Sequence, residues 1–284
     1  MSLPLFLRRF TYRPSVRAIA RTLPCTLRNE LLHLYWRLAR PSSGVIELTL
    51  DGVTGKFSLS TAKALELRFM ECFGYEDNLI RIVSGRLRPG DCAYDVGSSN
   101  GLWTVFLAKA VGERGQVVAF EPNRASYHKL KANLKLNGLS NVRCFETALG
   151  ELDGEGTLFW GEWEARSSMI MPPGRAELGH EVVVVRQGDR LRESEGLPVP
   201  KAVKIDVEGF EYEVLKGLRQ TLAHPACELI LCEVHSRLLP RGVTAEAVLG
   251  LIESLGFCHI DLISRTGADP FHAFASKREA LPDR

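Results

Sequence analysis

Eight residues, Tyr94-Asp95-Val96-Gly97-Ser98-Ser99-Asn100-Gly101, constrain the fold more than any other stretch of the chain. The apolar run Cys92 to Val96 reads as a buried strand, Gly97 and Gly101 as a tight turn, and Leu102 to Val111 as a helix. A second apolar run, Gln116 to Phe120, ends in Glu121, twenty residues past Gly101. Strand, glycine turn, helix and strand make a βαβ unit with its turn free to face a ligand. The glycines let backbone approach that ligand, and a carboxylate after the second strand can accept two hydrogen bonds from a ribose diol. The layout predicts a nucleotide site.

The glycine spacing narrows the ligand. A dinucleotide fingerprint has three glycines, G-x-G-x-x-G, which make room for a pyrophosphate. This chain has G-x-x-x-G, with Asp95 two residues before the first glycine. A wider turn with an acid at its start suits a cationic ligand, and S-adenosylmethionine (SAM), with its sulfonium and amino group, fits.

The flanking sequence repeats the same rhythm. Helix Arg124 to Leu136 and strand Val142 to Ala148 follow; further on come strand Ala202 to Val207, helix Tyr212 to Leu222, strand Glu228 to Val234, helix Ala245 to Leu255, and strands near Cys258 to Ile263 and Phe271 to Ala275. Such alternation at short spacing implies a parallel sheet covered by helices on both faces. The rhythm breaks over residues 150–200. That stretch holds two strands, Gly156 to Trp160 and Glu181 to Arg186, around an irregular segment with Trp160, Trp163, Arg166, Ser167, Ser168, Met169 and Met171. A long irregular insertion in a compact domain is usually functional or mobile.

Three parts result. Residues 1–43 form a basic arm with a short helix over Asn29 to Arg40. Residues 44–90 are a lead-in: a hairpin turning at Asp51-Gly52 (strands Val45 to Leu50 and Lys56 to Leu59) and helices over Ala62 to Cys72 and Asp77 to Leu87. Residues 91–284 are the nucleotide-binding domain with its insertion at 150–200. The arm carries eight arginines against one acid, Glu30, within residues 1–40. The whole chain is only +2, so the remainder is net acidic. That argues against nucleic acid as a partner of the body, although an RNA methyltransferase or binding module acting through the arm remains an alternative. The arm's aromatic residues, Tyr35 and Trp36, pack on the domain or rest on an anionic membrane surface. Its arginine-rich, acid-poor composition also matches a mitochondrial presequence. The seven cysteines are scattered with no C-x-x-C pair, as expected for small buried hydrophobes in a reducing compartment. No run reaches the roughly 18 apolar residues of a membrane span. A cytoplasmic protein, with membrane association through the arm, is expected.

A second dense block is Lys204-Ile205-Asp206-Val207-Glu208-Gly209-Phe210-Glu211, at the end of a predicted strand. Ligands of open α/β sheets sit beyond such strand ends. Asp206 and Glu208 alternate there and so face one side. The next strand ends in Cys232-Glu233-Val234-His235. These groups suit acid/base chemistry, with Glu208 or His235 as base and Asp206 orienting the substrate or the SAM amine. No tight ligand spacing singles out a metal, and none is assigned. Capping of the following helix is the structural role open to Asp206 and Glu211, and ion pairing that open to Lys204.

At these residues the chain resembles the FkbM-type branch of SAM-dependent methyltransferases. The resemblance rests on the Tyr94-to-Gly101 turn; on Val118-Ala119-Phe120-Glu121-Pro122-Asn123 with Leu130, Asn133 and Asn137; on Thr147-Ala148-Leu149-Gly150; and on Lys204-to-Glu211 with Val214-Leu215-Lys216-Gly217 and Cys232-to-His235. Tyr75-Glu76 also matches a pair that recurs in the family. The resemblance implies a seven-stranded, mostly parallel Rossmann-like sheet and O-methylation of a hydroxyl on a sugar or secondary metabolite. It implies that Glu121 binds the ribose with Pro122 beside it, that Asp95, Gly97, Ser98, Asn100 and Gly101 hold the methionine part, and that Thr147 and Ala148 lie near adenine. The chain departs from the family pattern at Ser98-Ser99, where Ala-Asn is usual. An NAD-dependent oxidoreductase is the alternative that shares the sheet and Glu121 but needs the missing glycine.

Overall fold

The computed structural model describes residues 44–58, 76–160, 167–170, 179–264 and 270–278. The expected arm, the helix over Ala62 to Cys72, Tyr75, Trp163, Arg166 and Met171 lie outside them. The chain divides into two compact units, Met1–Asn78 and Leu79–Arg284. In the first unit, β1 (Val45–Leu50) pairs antiparallel with β2 (Val53–Ser58). Their turn is Asp51-Gly52, both at positive φ. Ile46, Leu48, Leu50 and Phe57 are buried. Residues 76–84 are helical (α1).

The second unit is built on a seven-stranded sheet. Its strands are β3 (Cys92–Val96), β4 (Gln116–Phe120), β5 (Val142–Phe145), β9 (Ala202–Ile205), β10 (Leu229–Val234), β11 (His259–Ile263) and β12 (Phe271–Ser276), in the order β11-β12-β10-β9-β3-β4-β5. Every neighbouring pair from β10 to β5 is parallel, and β12 runs antiparallel to both its neighbours. All residues of β3 and β9 are buried, as in a sheet covered on both faces. The helices are α2 (Leu102–Val111), α3 (Arg124–Leu136), α4 (Gly188–Ser194), α5 (Glu211–Gly217), α6 (Arg219–Ala223) and α7 (Ala245–Ser254). The ends of β3, β4, α2 and α3 fall where the sequence puts them. α3 begins at Asn123, whose side chain accepts from Ser126 N–H, and is followed by Gly138 at positive φ.

Chain order places the site. The chain starts the sheet at β3, moves outward through β4 to β5, then returns to β9 on the other side of β3. A crevice opens at the carboxyl ends of the strands where the order reverses.

Three expected elements come out differently. The strand expected over Val142 to Ala148 breaks after Phe145, and β6 (Ala148–Gly150) joins another sheet. Thr147 anchors the switch by donating its hydroxyl to Val184 O at 2.8 Å. Described residues of the insertion form a three-stranded sheet, β6-β8-β7, with β7 at Gly154–Trp160 and β8 at Gly179–Gln187. The helix expected over Tyr212 to Leu222 divides at Leu218. Buried Asp189, in the first turn of α4, accepts from Gln220 N–H, Thr221 N–H and the Thr221 hydroxyl, so it caps α6 separately. Finally, β9 stops at Ile205, so Asp206 and Glu208 sit in a turn instead of alternating on a strand.

Candidate active site

The Tyr94-to-Gly101 turn is held from below by an ion cluster. Lys204, buried on β9, donates to Gly97 O at 2.8 Å and lies 3.3 Å from Asp95 Oδ1 and 3.5 Å from Asp206 Oδ2. The other Asp95 oxygen accepts from the Thr104 hydroxyl at 2.5 Å. Asp95 is wholly buried and sits beneath the turn, and the Ser98 hydroxyl donates to its carbonyl at 2.7 Å. Lys204 thus joins the ends of β3 and β9.

Gly97 has φ +79, and a Cβ there would stand 1.8 Å from Asp206 O. This glycine permits a close approach to the neighbouring strand end, and it also lines the pocket beside Glu121. Gly101, at φ +87, begins α2, and a Cβ there would meet Leu130 Cδ1 at 2.6 Å. Asn100 offers its carbonyl to Asn133 Nδ2 at 2.8 Å.

Glu121 lies just past the end of β4 with both carboxylate oxygens fixed by main chain. Asn123 N–H donates to Oε1 at 2.8 Å and Ser99 N–H to Oε2 at 2.7 Å. Burial pushes its pKa up from 4.5 to about 7, against the pull of those two hydrogen bonds. Each oxygen keeps acceptor capacity for a further donor.

Glu121 faces a pocket that also has Gly97, Ser99, Pro122, Thr147 and Ala148 in its wall. Asp206, Glu208 and Phe210 line it as well. Of the residues singled out from sequence, Gly97, Glu121, Pro122, Thr147, Ala148, Asp206 and Glu208 therefore meet at one pocket. Asp95, Ser98, Asn100, Gly101 and His235 are not in its wall. Sequence reasoning missed Ser99, whose N–H holds Glu121, and the apolar contribution of Leu158, whereas Met169 comes from the irregular segment expected to be functional. Ser99 was legible in the motif. Leu158 carries no local signal.

Glu208 adopts φ +49, a left-handed conformation rare for a side-chain-bearing residue. The Ser168 hydroxyl donates to its carbonyl at 2.6 Å. Ser168 is in turn paired through its backbone with Phe159 of β7, so the insertion clamps the Glu208 turn.

Behind Glu208 stands His235. Its Nδ1 is 2.7 Å from Glu211 Oε1, an oxygen that also accepts from Gly209 N–H at 2.8 Å. Its Nε2 is 3.6 Å from Glu208 Oε2 and 3.8 Å from Glu233 Oε1. Burial works against its charge, but the Glu211 hydrogen bond, with Glu208 and Asp206 nearby, pushes its pKa up to about 10. Burial likewise opposes ionisation of Asp206, yet Lys204, His235 and His272 hold its carboxyl below the usual value. His272 Nε2 lies 3.3 Å from Glu233 Oε2. The arrangement can hold a nucleoside against Glu121 and present carboxylates to a second reactant in the same pocket.

Comparisons with known proteins give the family. Residues 95–258 match the model of the methyltransferase FkbM domain. The chain is 27% identical over 198 residues to the hexuronic acid methyltransferase AglP of Haloferax volcanii, covering 69% of this chain and 76% of that one. It is 26% identical over 214 residues to the methyltransferase sdnD of Sordaria araneosa, covering 65% and 80%. Among solved structures, it resembles a methyltransferase FkbM from Methylobacillus flagellatus at a TM-score of 0.48 and 17% identity. That match covers 66% of this chain and only 44% of the other. Among the described residues, no helix is long and apolar enough to cross a membrane. With the family model spanning more than half its length, the chain belongs to the FkbM methyltransferase family and is a methyltransferase.

Proposed function

We propose that the protein transfers the methyl group of SAM to a hydroxyl oxygen of a sugar or small-metabolite acceptor. The observation that carries this is Glu121. It is a buried carboxylate with both oxygens oriented by main-chain N–H groups, in a pocket that Asp206 and Glu208 also line. Charged hydrogen bonds from a ribose diol to such a preoriented carboxylate favour a nucleoside. The Gly97-to-Gly101 turn then lies beside the methionine portion, with Asp95 and Ser98 supporting it from beneath. Pro122, Thr147 and Ala148 flank the adenine.

In the reaction the C–S bond of the sulfonium breaks as the acceptor oxygen bonds to the methyl carbon, leaving S-adenosylhomocysteine. The leaving group is already good, so the protein supplies alignment and a place for the hydroxyl proton. Glu208 takes that proton in this reading because it lines the pocket. Asp206 orients the acceptor, and His235 holds Glu208 from behind. The name of the archaeal relative supports a uronic-acid sugar as the class of acceptor to try first.

The test is incubation of the purified protein with methyl-labelled SAM, first with a glucuronic-acid glycoside and then with a cell extract. Label should appear as an alkali-stable methyl ether on a small molecule or glycan. Label only on protein or RNA, or calorimetry showing no SAM binding, would sink the reading.

A further inference from the structure

We propose that Asp206, Glu233 and His235 form a binding site for one divalent cation of the manganese type. Asp206 follows β9, Glu233 belongs to β10, and His235 follows it, so the three come from adjacent strand ends. Each offers one ligand atom, and these atoms all lie within 4.8 Å of one another. Two ligands on opposite sides of an ion, at roughly 2.1 Å each, stand about 4.2 Å apart. Three ligands include at most one such pair, and neighbouring ligands on a six-coordinate ion stand about 3 Å apart, so closing on a cation takes side-chain shifts of about an ångström.

A second observation, separate from that grouping, is the histidine ring itself. His235 is 6% exposed. Its Nδ1 is tied to Glu211, a fully buried carboxylate anchored in turn by Gly209 N–H. That bond fixes the ring and directs the other nitrogen, Nε2, among the carboxylates. Nε2 reaches none of them at hydrogen-bonding distance; Glu208 and Glu233 stand at 3.6 and 3.8 Å. A histidine whose far nitrogen is held by a buried carboxylate while its near nitrogen points among carboxylates, the ligand Glu233 one of them, has the orientation that metal-ligating imidazoles require. Two oxygens and one nitrogen suit a borderline cation better than calcium, which prefers oxygen alone.

Three protein donors leave coordination positions open on a six-coordinate ion. A hydroxyl oxygen bound there would lose its proton more readily. That role rests on the methyl-transfer reading; the binding site does not.

The experiment uses the full chain, treated with chelator and desalted, without SAM or acceptor. Mn2+ is titrated in and the free ion is followed by its electron paramagnetic resonance signal. One tightly bound Mn2+ per chain is expected. Glu233→Gln and Asp206→Asn, each verified as folded by circular dichroism, should weaken binding at least tenfold. Glu253→Gln, an exposed acid on α7, should bind as the parent does. An undiminished free-ion signal with the parent protein, or equal binding by the parent and both site variants, overturns the site. Because no cofactor is present, that failure would leave the methyl-transfer reading standing, to be judged on labelled SAM alone.

Discussion

The Glu121 side of the pocket and the Glu208 side are built from different materials. On the Glu121 side the contacts are main chain. Ser99 N–H and Asn123 N–H grip the carboxylate, and the turn above is packed so tightly on Asp206 that a single Cβ has no room. On the Glu208 side the wall is assembled from side chains of distant segments: Leu158 from β7, Met169 from the insertion, and Phe210 ahead of α5. Main-chain contacts depend on φ and ψ and fail when the backbone cannot take its angles. Side-chain contacts rearrange, because rotamers can move at modest cost. The first side is thus rigid and particular, the second adaptable. On the proposed reading the first side serves the cofactor and the second the acceptor.

The harshest way to test that contrast is Gly97→Ala. The added Cβ meets a backbone carbonyl that cannot swing aside, at a residue already at φ +79. The expected cost is about 3 kcal/mol or more, enough to unfold a marginal domain. Thermal unfolding followed by circular dichroism checks this. A variant that melts with the parent would mean that the two strand ends are not packed as described.

Next in size is Glu208→Gln. The fold and the SAM side are untouched, so SAM affinity measured by calorimetry should stay within about twofold, while turnover falls by roughly 10²- to 10⁴-fold, the usual contribution of a general base. Unchanged turnover would move the base elsewhere. If the parent's activity is also abolished by chelator, the cation takes over Glu208's part.

The same contrast decides what the sequence made legible. The Tyr94-to-Gly101 turn, Glu121 and the ends of α2 and α3 are readable because each follows from local chemistry: glycine at positive φ, a capping asparagine, an apolar run of fixed length. The block Lys204 to Glu211 is readable as a site, but the geometry behind it is not. Strand alternation puts Asp206 and Glu208 on one face, whereas a left-handed turn clamped by Ser168 does so in the structure. No local pattern foretells that clamp, since Ser168 and Glu208 are 40 residues apart. The split at Leu218 fails for the same reason: its cause is Asp189, 31 residues before Gln220. α4 was missed although its signals are local, with Asp189 in its first turn and Gly196-Leu197-Pro198 beyond its end.

A third, smaller effect concerns Glu121. On the proposed reading Glu121→Ala removes charged hydrogen bonds to the ribose, and it should then weaken SAM binding by about 1 to 3 kcal/mol. Its pKa gives a pH dependence of definite sign. The folded chain keeps a proton on Glu121 between 4.5 and about 7 that the unfolded chain has released. The ligand-free domain therefore loses stability as pH rises through that window, by about 3 kcal/mol at most. SAM binding runs the other way, because only the carboxylate accepts both ribose hydroxyls, so affinity should fall as pH drops below about 7. Denaturant unfolding and calorimetry at pH 5.5 and 8, on the parent and on Glu121→Ala, separate the two. A parent whose SAM affinity is flat across that range would remove Glu121 from the cofactor.

The smallest effect repeats the first substitution beside the Met169 wall. At Gly156, on β7, an added Cβ would meet Met169 Cε at 2.1 Å and Val185 Cγ2 at 3.3 Å. The nearer number is as alarming as that at Gly97, yet the obstacle is the free end of a methionine, with three rotatable bonds to move it. The φ of Gly156 is not in the left-handed region, so alanine adds no backbone strain there. Replacing glycine also restricts the unfolded chain, which offsets part of the repacking. Gly156→Ala should therefore cost about 1 kcal/mol or less, against the loss of fold at Gly97. Since Met169 lines the pocket, its displacement should be felt by the ligands more than by the melting temperature. A large fall in melting temperature for Gly156→Ala would show that the Met169 wall is as rigid as the Glu121 side, and the contrast between the two sides would be lost.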